Sequence, residues 1–210
     1  MLQPFLLMIA GPNGAGKTTL TRLLRERGVD FGEYINPDDV AGELEGSYDA
    51  RVAHAQIIAD RRREECIAAE RSFSFETVMS HPSKVDVLIR AKSAGFRIQL
   101  FFVGTNDPRT NIDRVAIRVA QGGHDVPKDR IVARWTRTME LLHQAITASG
   151  EAFVFDNSAS APFAAGPRLV LRRSLAVGHD PEVQQFAPIP DWVRRYVLIP
   201  LQIRPVDWEK

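Results

Sequence analysis

A glycine-rich loop that follows an apolar run near the start of the chain is the feature that most restricts its fold. Residues 11–18 read Gly-Pro-Asn-Gly-Ala-Gly-Lys-Thr and match G-x-x-x-x-G-K-[ST] without a gap, directly after the apolar run 5–10. The three glycines permit backbone angles that other residues avoid, so successive N–H groups can turn inward around phosphate oxygens. Leucines recur at helical spacing from residue 20 onward. The sequence therefore predicts strand, loop and helix in that order, with the positive end of the helix dipole facing the phosphates.

This loop pattern is typical of proteins that bind a nucleoside triphosphate. Lys17 is expected to reach the β- and γ-phosphates, and the Thr18 hydroxyl is placed to ligate Mg²⁺. The alternative, a glycine-rich turn with a chance Lys-Thr pair, is disfavoured because the strand before the loop and the helix after it are the context that the motif requires. The nucleotide-binding residues predicted in this way are Gly11, Pro12, Asn13, Gly14, Ala15, Gly16, Lys17, Thr18 and Thr19.

Length, charge and cysteine content limit the class of protein. A chain of 210 residues with 44% hydrophobic content suits a single domain with a small appendage. Its net charge of +1 gives no global field that would attract nucleic acid or an anionic membrane, so neither partner is expected. The single cysteine, Cys66, excludes an intramolecular disulfide and favours a buried, unreactive thiol in a reducing cytoplasm. The apolar N-terminus is interpreted as a first strand rather than a signal peptide, and the run 196–201 is too short to span a bilayer.

Strand-like apolar runs alternate with helical patterns along the first 158 residues. This alternation predicts an α/β fold of three layers, in which a parallel five-stranded sheet is flanked by helices. The predicted strands are 5–10, 34–36, 72–76, 97–104 and 152–155, and helices are predicted at 51–71, at 82–94, from 107 to the glycines at 122–123, and from 127 onward. We expect one domain over 1–158 and a C-terminal extension over 159–210 that adds one strand at 168–175 and packs on the same domain.

Polar residues follow the predicted strands, at the edge where ligands bind in an open parallel sheet. Asp38 is expected to act as the general base that takes the proton from an acceptor hydroxyl. The alternative is that Asp38 or Asp39 caps a helix that begins near Val40, and we assign the cap to Asp39. Glu76 is expected to bind acceptor hydroxyls or to hold Mg²⁺ through water, with a solvated strand end as the alternative.

A second signature indicates a mobile lid over about residues 114–134. Arg114 and Arg118 lie one helical turn apart, and the two glycines and the proline that follow them predict a hinged helical hairpin. Closure would bring Arg118 and Arg134 onto the γ-phosphate and neutralise charge that develops on its oxygens during transfer. Solvated arginines are the alternative. His124 is expected to contact the acceptor or the phosphate, with a structural role as its alternative.

Four motifs that occur in order resemble the zeta-toxin-like P-loop kinases. They are the loop 11–18, the Ile-Asn-Pro-Asp turn at 35–38, the strand end Ser-Phe-Ser-Phe-Glu-Thr at 72–77, and the segment from 118 to 134 that contains Gly-Gly-His-x-Val-Pro. The resemblance covers about residues 5–158. It implies a fold like that of nucleoside monophosphate kinases with a lid, and transfer of the γ-phosphate of ATP, with Mg²⁺, to a hydroxyl group. The toxins of this family phosphorylate the 3′-hydroxyl of the sugar in UDP-N-acetylglucosamine.

The resemblance also assigns roles to individual residues. It implies that Lys17 and Thr18 bind ATP and metal, that Asp38 is the base, and that Arg118 and Arg134 hold the transferring phosphoryl group. Residues expected to bind the acceptor are Asn36, Glu76, Thr77 and His124. The implied partners are a small-molecule acceptor and an antitoxin protein. The toxins carry a basic residue where this chain has Ala41, so the acceptor stays open between a nucleotide sugar and another phosphorylated or sugar-like metabolite.

Two other classes of nucleotide-binding protein are alternatives to a small-molecule kinase. A nucleotide-dependent switch or regulatory module would hydrolyse the nucleotide without an acceptor, but the chain contains no [NT]-K-x-D motif for reading guanine. A polynucleotide kinase would need a basic groove with stacking aromatic side chains, which the balanced charge disfavours.

Overall fold

A seven-stranded mixed sheet forms the centre of the computed structural model, which describes residues 3–158, 166–175, 178 and 180–206. The side chains of residues 38, 48 and 49 are outside this description. The strands are β1 (Phe5–Ala10), β2 (Glu33–Ile35), β3 (Phe73–Thr77), β4 (Arg97–Gly104), β5 (Glu151–Asp156), β6 (Arg168–Ser174) and β7 (Glu182–Gln185). Their order across the sheet is β2-β3-β1-β4-β5-β6-β7. The first five strands pair in parallel, and β6 and β7 are antiparallel to their neighbours.

Helices cover both faces of the sheet. They are α1 (Lys17–Glu26), α2 (Pro37–Gly42), α3 (Tyr48–Ala68), α4 (Ser83–Ser93), α5 (Pro108–Ala120), α6 (Lys128–Ala148) and α7 (Asp191–Val193), and a π-helical segment, Arg194–Leu198, continues from α7. One hydrophobic cluster joins the sheet to α1, and a larger one joins it to α3, α4, α6 and α7. Because both faces are covered, the central strand β1 reads as a continuous apolar run, fully buried from residue 6 to residue 10.

The predicted α/β class with three layers is confirmed, and so are its five parallel strands. The strand expected at 168–175 is present as β6. The prediction was incomplete at β7, which extends the sheet to seven strands. Part of the expected linker, residues 159–165, lies outside the described residues.

The start of α2 corrects one expectation. The helix begins at Pro37 rather than near Val40, and the carbonyl of Asn36 accepts the N–H of Val40 at 3.2 Å. Proline suits this first helical position because an N–H group there has no hydrogen-bond partner within the helix, so its absence from proline costs nothing. Asp39 therefore lies inside the helix, exposed, and the expected cap at Asp39 is wrong.

The C-terminal part of the chain reaches the carboxyl edge of the sheet through Trp192. Its indole is buried and packs against the backbone of Gly104, where an added Cβ atom would lie 2.8 Å from the ring. The indole Nε1 donates to the Asp156 carboxylate at 2.9 Å, at the end of β5. Within the described residues, none of the helices combines the length and apolar character needed to cross a membrane.

Candidate active site

The five parallel strands bring the predicted site residues to one edge of the sheet. Ala10 at the end of β1 pairs with Thr77 of β3 and with Phe102 of β4, and Gly104 pairs with Asp156 of β5. The segments that leave these strands therefore meet at the carboxyl edge. This is where an open α/β sheet binds its ligands.

The glycine-rich loop is packed tightly on its outer side, and three of its positions have backbone angles that favour glycine. Gly11, Gly14 and Gly16 have φ values of +153°, +71° and +104°. A Cβ atom at Gly11 would lie 2.2 Å from the Val103 carbonyl oxygen. At Gly14 it would lie 2.6 Å from a backbone oxygen of α5, and at Gly16 2.5 Å from a side-chain nitrogen after β5. The spacing of the motif thus follows from both backbone conformation and close packing.

None of the described side chains caps the N-terminus of α1, which suits this helix end to bind an anion. Gly16 precedes the helix and provides no side-chain cap, and the first turn contains no acidic residue. The first N–H groups of a helix have no partners within the helix, and its dipole is positive at this end. Lys17 is half-buried, and its ammonium donates to the carbonyl oxygens of Gly11 and Pro12 at 2.9 and 3.0 Å. This combination of loop, helix end and lysine fits the phosphates of a nucleotide.

Thr18 lies exposed on the first turn of α1, at the position where the motif places a magnesium ligand. The described residues contain no cluster of three or more His, Cys, Asp or Glu side chains that would hold a metal by themselves. Mg²⁺ in nucleotide sites uses one or two protein ligands together with phosphate oxygens and waters. A single hydroxyl beside the phosphate loop fits that mode of binding.

Two asparagines outside the motif hold the loop from its outer side. Asn111 of α5 donates from Nδ2 to the Asn13 carbonyl at 2.5 Å, and Asn157 after β5 donates from Nδ2 to the Ala15 carbonyl at 2.8 Å. The position of Asn157 after a strand was a signal in the sequence, whereas nothing in the sequence marked Asn111.

Glu76 is a carboxylate held in place by two hydroxyl groups. It accepts from the Thr21 hydroxyl of α1 at 2.5 Å and from the Tyr34 hydroxyl of β2 at 3.0 Å. Burial, followed by the negative charge of Glu76, raises the pKa of Tyr34 above its ordinary value, so the phenol stays protonated and keeps donating. Glu76 is half-buried at the end of β3, and these contacts distinguish it from a freely solvated strand end.

The remaining predicted residues near β2 and β3 have mixed positions. Thr77 contributes to the loop through its backbone, because its carbonyl accepts from the Gly11 N–H at 3.2 Å, and its hydroxyl accepts from the Met79 N–H at 3.0 Å. Asn36 is half-buried directly before α2. Asp38 lies in the first turn of α2, and its side chain is outside the described residues.

The predicted lid corresponds to the hairpin formed by α5 and α6. Arg118 is exposed and donates from its guanidinium to the carbonyl of His124 at 3.0 Å, so it contacts the turn of its own hairpin. His124 is itself exposed. Arg134 is half-buried on α6 and forms no ion pair with a described residue. The structure therefore places both arginines on one hairpin, and it does not bring the guanidinium of Arg118 against the phosphate loop.

Arg114 of α5 lies close enough to Asp156, at the end of β5, to interact with its charge. Burial lowers the pKa of its half-buried guanidinium, and the negative charge of Asp156 opposes that effect. Asp156 also accepts from the indole of Trp192, so the end of β5 links the hairpin to the C-terminal segment.

Two solved structures of other proteins share this fold. A chain of the PezAT chromosomal toxin-antitoxin system of Streptococcus pneumoniae matches with a TM-score of 0.59 and 17% identity, over 75% of this chain and 70% of that chain. A chain of the AvrRxo1-ORF1:ORF2 complex with ATP matches with a TM-score of 0.61 and 17% identity, over 81% of this chain. The present chain covers 58% of the length of that protein.

An uncharacterized protein of Haemophilus influenzae strain Rd is 28% identical over 139 residues, which cover 64% of this chain and 95% of that protein. No protein-family model matches the chain. Because the structural matches are 17% identical, they confirm the fold that the resemblance to zeta-toxin-like P-loop kinases implied, and the fold alone.

Proposed function

We propose that this protein is an ATP- and Mg²⁺-dependent kinase that transfers the γ-phosphate to a hydroxyl group of a small molecule. The observation that carries the proposal is the N-terminus of α1, which no described side chain caps and which follows a tightly packed glycine-rich loop with Lys17 beside it. A structure of the same fold was determined as a complex with ATP, which supports ATP as the nucleotide.

The proposed transfer needs a base on the acceptor side and positive charge around the phosphoryl group. Asp38 would take the proton of the acceptor hydroxyl while the oxygen of that hydroxyl forms a bond to the γ-phosphorus. The bond from the γ-phosphorus to the oxygen that bridges it to the β-phosphate would break, and ADP would leave. Lys17 would hold the β- and γ-phosphates, and Arg118 and Arg134 would reach the transferring group when the hairpin closes. Mg²⁺, bound by Thr18 and phosphate oxygens, would supply charge neutralisation. Residues proposed to bind the acceptor are Asn36, Glu76, Thr77 and His124.

We infer that the acceptor is a nucleotide sugar, with UDP-N-acetylglucosamine as the first to test. Support comes from the strand end at Glu76, where a fixed carboxylate faced by the hydroxyls of Thr21 and Tyr34 lies next to the loop and suits hydrogen bonding to sugar hydroxyls. A cytoplasmic location, where nucleotide sugars and ATP are both available, agrees with the single buried thiol of Cys66.

The test is ADP release by the purified protein with ATP, Mg²⁺ and a panel of hydroxyl-bearing metabolites that includes nucleotide sugars. We expect slow turnover alone and a marked increase with one acceptor, together with a phosphorylated product that mass spectrometry identifies. Hydrolysis that no acceptor stimulates would instead support a nucleotide-dependent regulatory module and refute phosphoryl transfer. A protein partner of the antitoxin kind is also proposed, since one matching structure comes from a toxin-antitoxin system. Neutralisation of the protein in cells by a small protein encoded beside it tests that proposal.

A further inference from the structure

Two carbonyl groups of the glycine-rich loop, those of Asn13 and Ala15, point outward. Each accepts a hydrogen bond from an asparagine side chain. Asn111 binds the Asn13 carbonyl and Asn157 binds the Ala15 carbonyl, at 2.5 and 2.8 Å. The two asparagines come from different elements, and they lie 98 and 142 residues from their partners in sequence. Each also lies against the glycine that follows the carbonyl it binds, since the closest contacts of a Cβ at residues 14 and 16 would be with residues 111 and 157.

These two hydrogen bonds determine where the next N–H groups point. Both peptides are trans, and in a trans peptide the C=O and the following N–H point in opposite directions. A carbonyl of Asn13 that is fixed toward α5 therefore turns the N–H of Gly14 away from α5, to the inner side of the loop. In the same way, the bond to the Ala15 carbonyl turns the N–H of Gly16 inward. These are donors that an oxyanion in the loop would use.

The orientation of the Asn111 side chain is itself fixed by a buried hydrogen-bond chain. The indole of Trp135 on α6 donates to the Thr105 hydroxyl at 3.2 Å. An indole N–H can only donate, so the hydroxyl uses its own hydrogen for Asn111 Oδ1, with which it forms a short hydrogen bond. Rotation of the amide by 180° would put its oxygen against the Asn13 carbonyl oxygen. Thr105 and Asn111 are fully buried, so water cannot replace these partners.

We propose that Asn111 and Asn157 are positioning residues for polyphosphate binding, which hold the Gly14 and Gly16 amides in their binding orientation before the nucleotide arrives. The inference rests on the proposed nucleotide binding. It predicts an effect on the free energy of phosphate binding, because amides that are already oriented reduce the cost of ordering the loop on binding. Loss of either asparagine reduces affinity for the phosphate chain and leaves contacts with the nucleoside unchanged.

The experiment measures dissociation constants for ATP and AMP, and the midpoint of thermal unfolding, for the unmodified protein, for three single-residue variants and for the combination of the first two. The variants are Asn157→Ala, which removes one bond directly, Thr105→Val, which removes the hydroxyl that orients Asn111 while keeping its size, and Asn106→Ala as a control. Asn106 is an exposed asparagine that follows Thr105 directly at the same edge of the sheet.

We expect Asn157→Ala and Thr105→Val to weaken ATP binding about 3- to 10-fold each, the equivalent of one hydrogen bond, with little change for AMP. Their combination should weaken it further, and Asn106→Ala should match the unmodified protein. A merely structural role would lower the unfolding midpoint and leave the ratio of ATP to AMP affinity unchanged, which would overturn the inference. Failure of the unmodified protein to bind ATP would refute the proposed function itself, so the two failures are distinguishable.

Discussion

Replacement of Lys17 by alanine tests the nucleotide site most directly. The ammonium already donates two hydrogen bonds to the loop carbonyls of Gly11 and Pro12, at 2.9 and 3.0 Å. Binding of a triphosphate would exchange these bonds for bonds to phosphate oxygens, so hydrogen bonding alone contributes little net free energy. The gain comes from charge, because a neutral carbonyl partner is replaced by an anion.

The size of this gain follows from Coulomb's law. Two unit charges 4 Å apart attract each other by about 4 kcal/mol at the effective dielectric constant of a partly buried site. Lys17 is half-buried, and part of the attraction is offset when the ammonium and the phosphates lose water. A net loss of about 2 to 4 kcal/mol corresponds to roughly 30- to 700-fold weaker binding of ATP.

Isothermal titration with ATP measures this change, with Lys17→Met as a second variant that keeps most of the side-chain volume. Lys92→Ala is the matched control, since Lys92 is an exposed lysine on α4. This substitution removes the same charge at a site distant in sequence from the loop. Its affinity should stay within about twofold of the unmodified protein, because exposed charges are well screened. A change of less than threefold in both Lys17 variants, with unchanged thermal unfolding, would refute the placement of the phosphates at this loop.

Three further changes have specific expected outcomes. Asp38→Asn should keep ATP affinity and lower acceptor-dependent ADP release by about 10² to 10⁴, the usual contribution of a positioned base, and unchanged release would refute the role of Asp38. Gly11→Ala should lower the free energy of unfolding in urea by several kcal/mol, because the new Cβ would lie 2.2 Å from a backbone oxygen. Gly28→Ala should lower it by about 1 to 2 kcal/mol, since Gly28 has a φ of +74° but open space around it. Equal losses for the two variants would contradict the packing argument. Burial raises the pKa of the Cys66 thiol from 9.0 to about 11, so a thiol reagent at pH 8 should react only after unfolding. Between pH 9.0 and about pH 11, the folded state keeps the thiol proton that the unfolded state loses. The contribution of Cys66 to stability should therefore decrease as the pH rises through this range.

Local signals made the core of the fold predictable. The phosphate loop is recognisable because its conformation depends on glycines within eight consecutive residues, and β1 and β4 match their predicted bounds because both are long apolar runs. Strand β7 was missed because Glu-Val-Gln-Gln is short and polar, as suits an edge strand that must not pair with other chains. The start of α2 differs from the prediction because Pro37, with its fixed φ, is the first helical residue, which places Asp39 inside the helix rather than at its cap.

The site was less predictable where it depends on tertiary contacts. Thr21 and Glu76 are 55 residues apart in sequence, and only the pairing of β1 with β3 brings α1 next to the end of β3. An asparagine at position 111 of an amphipathic helix carries no sign that it binds a loop 98 residues away. The sequence identified which strand ends carry polar groups, and the packing of the strands decided which of those groups touch.

The contacts of α5 also limit how its hairpin with α6 can close. The first turns of α5 are tied to the phosphate loop through Asn111, and α6 is tied to the same place through the bond from Trp135 to Thr105. A rigid rotation of the whole hairpin would break this buried chain and disturb the loop that we propose receives the phosphates. If the hairpin closes as proposed, the motion that brings Arg118 toward the γ-phosphate takes place beyond the buried Val115. The turn between α5 and α6 contains two consecutive glycines, of which Gly122 has a φ of +89°. In the proposed closure, the tip of the hairpin moves while its base keeps the glycine-rich loop in the shape described above.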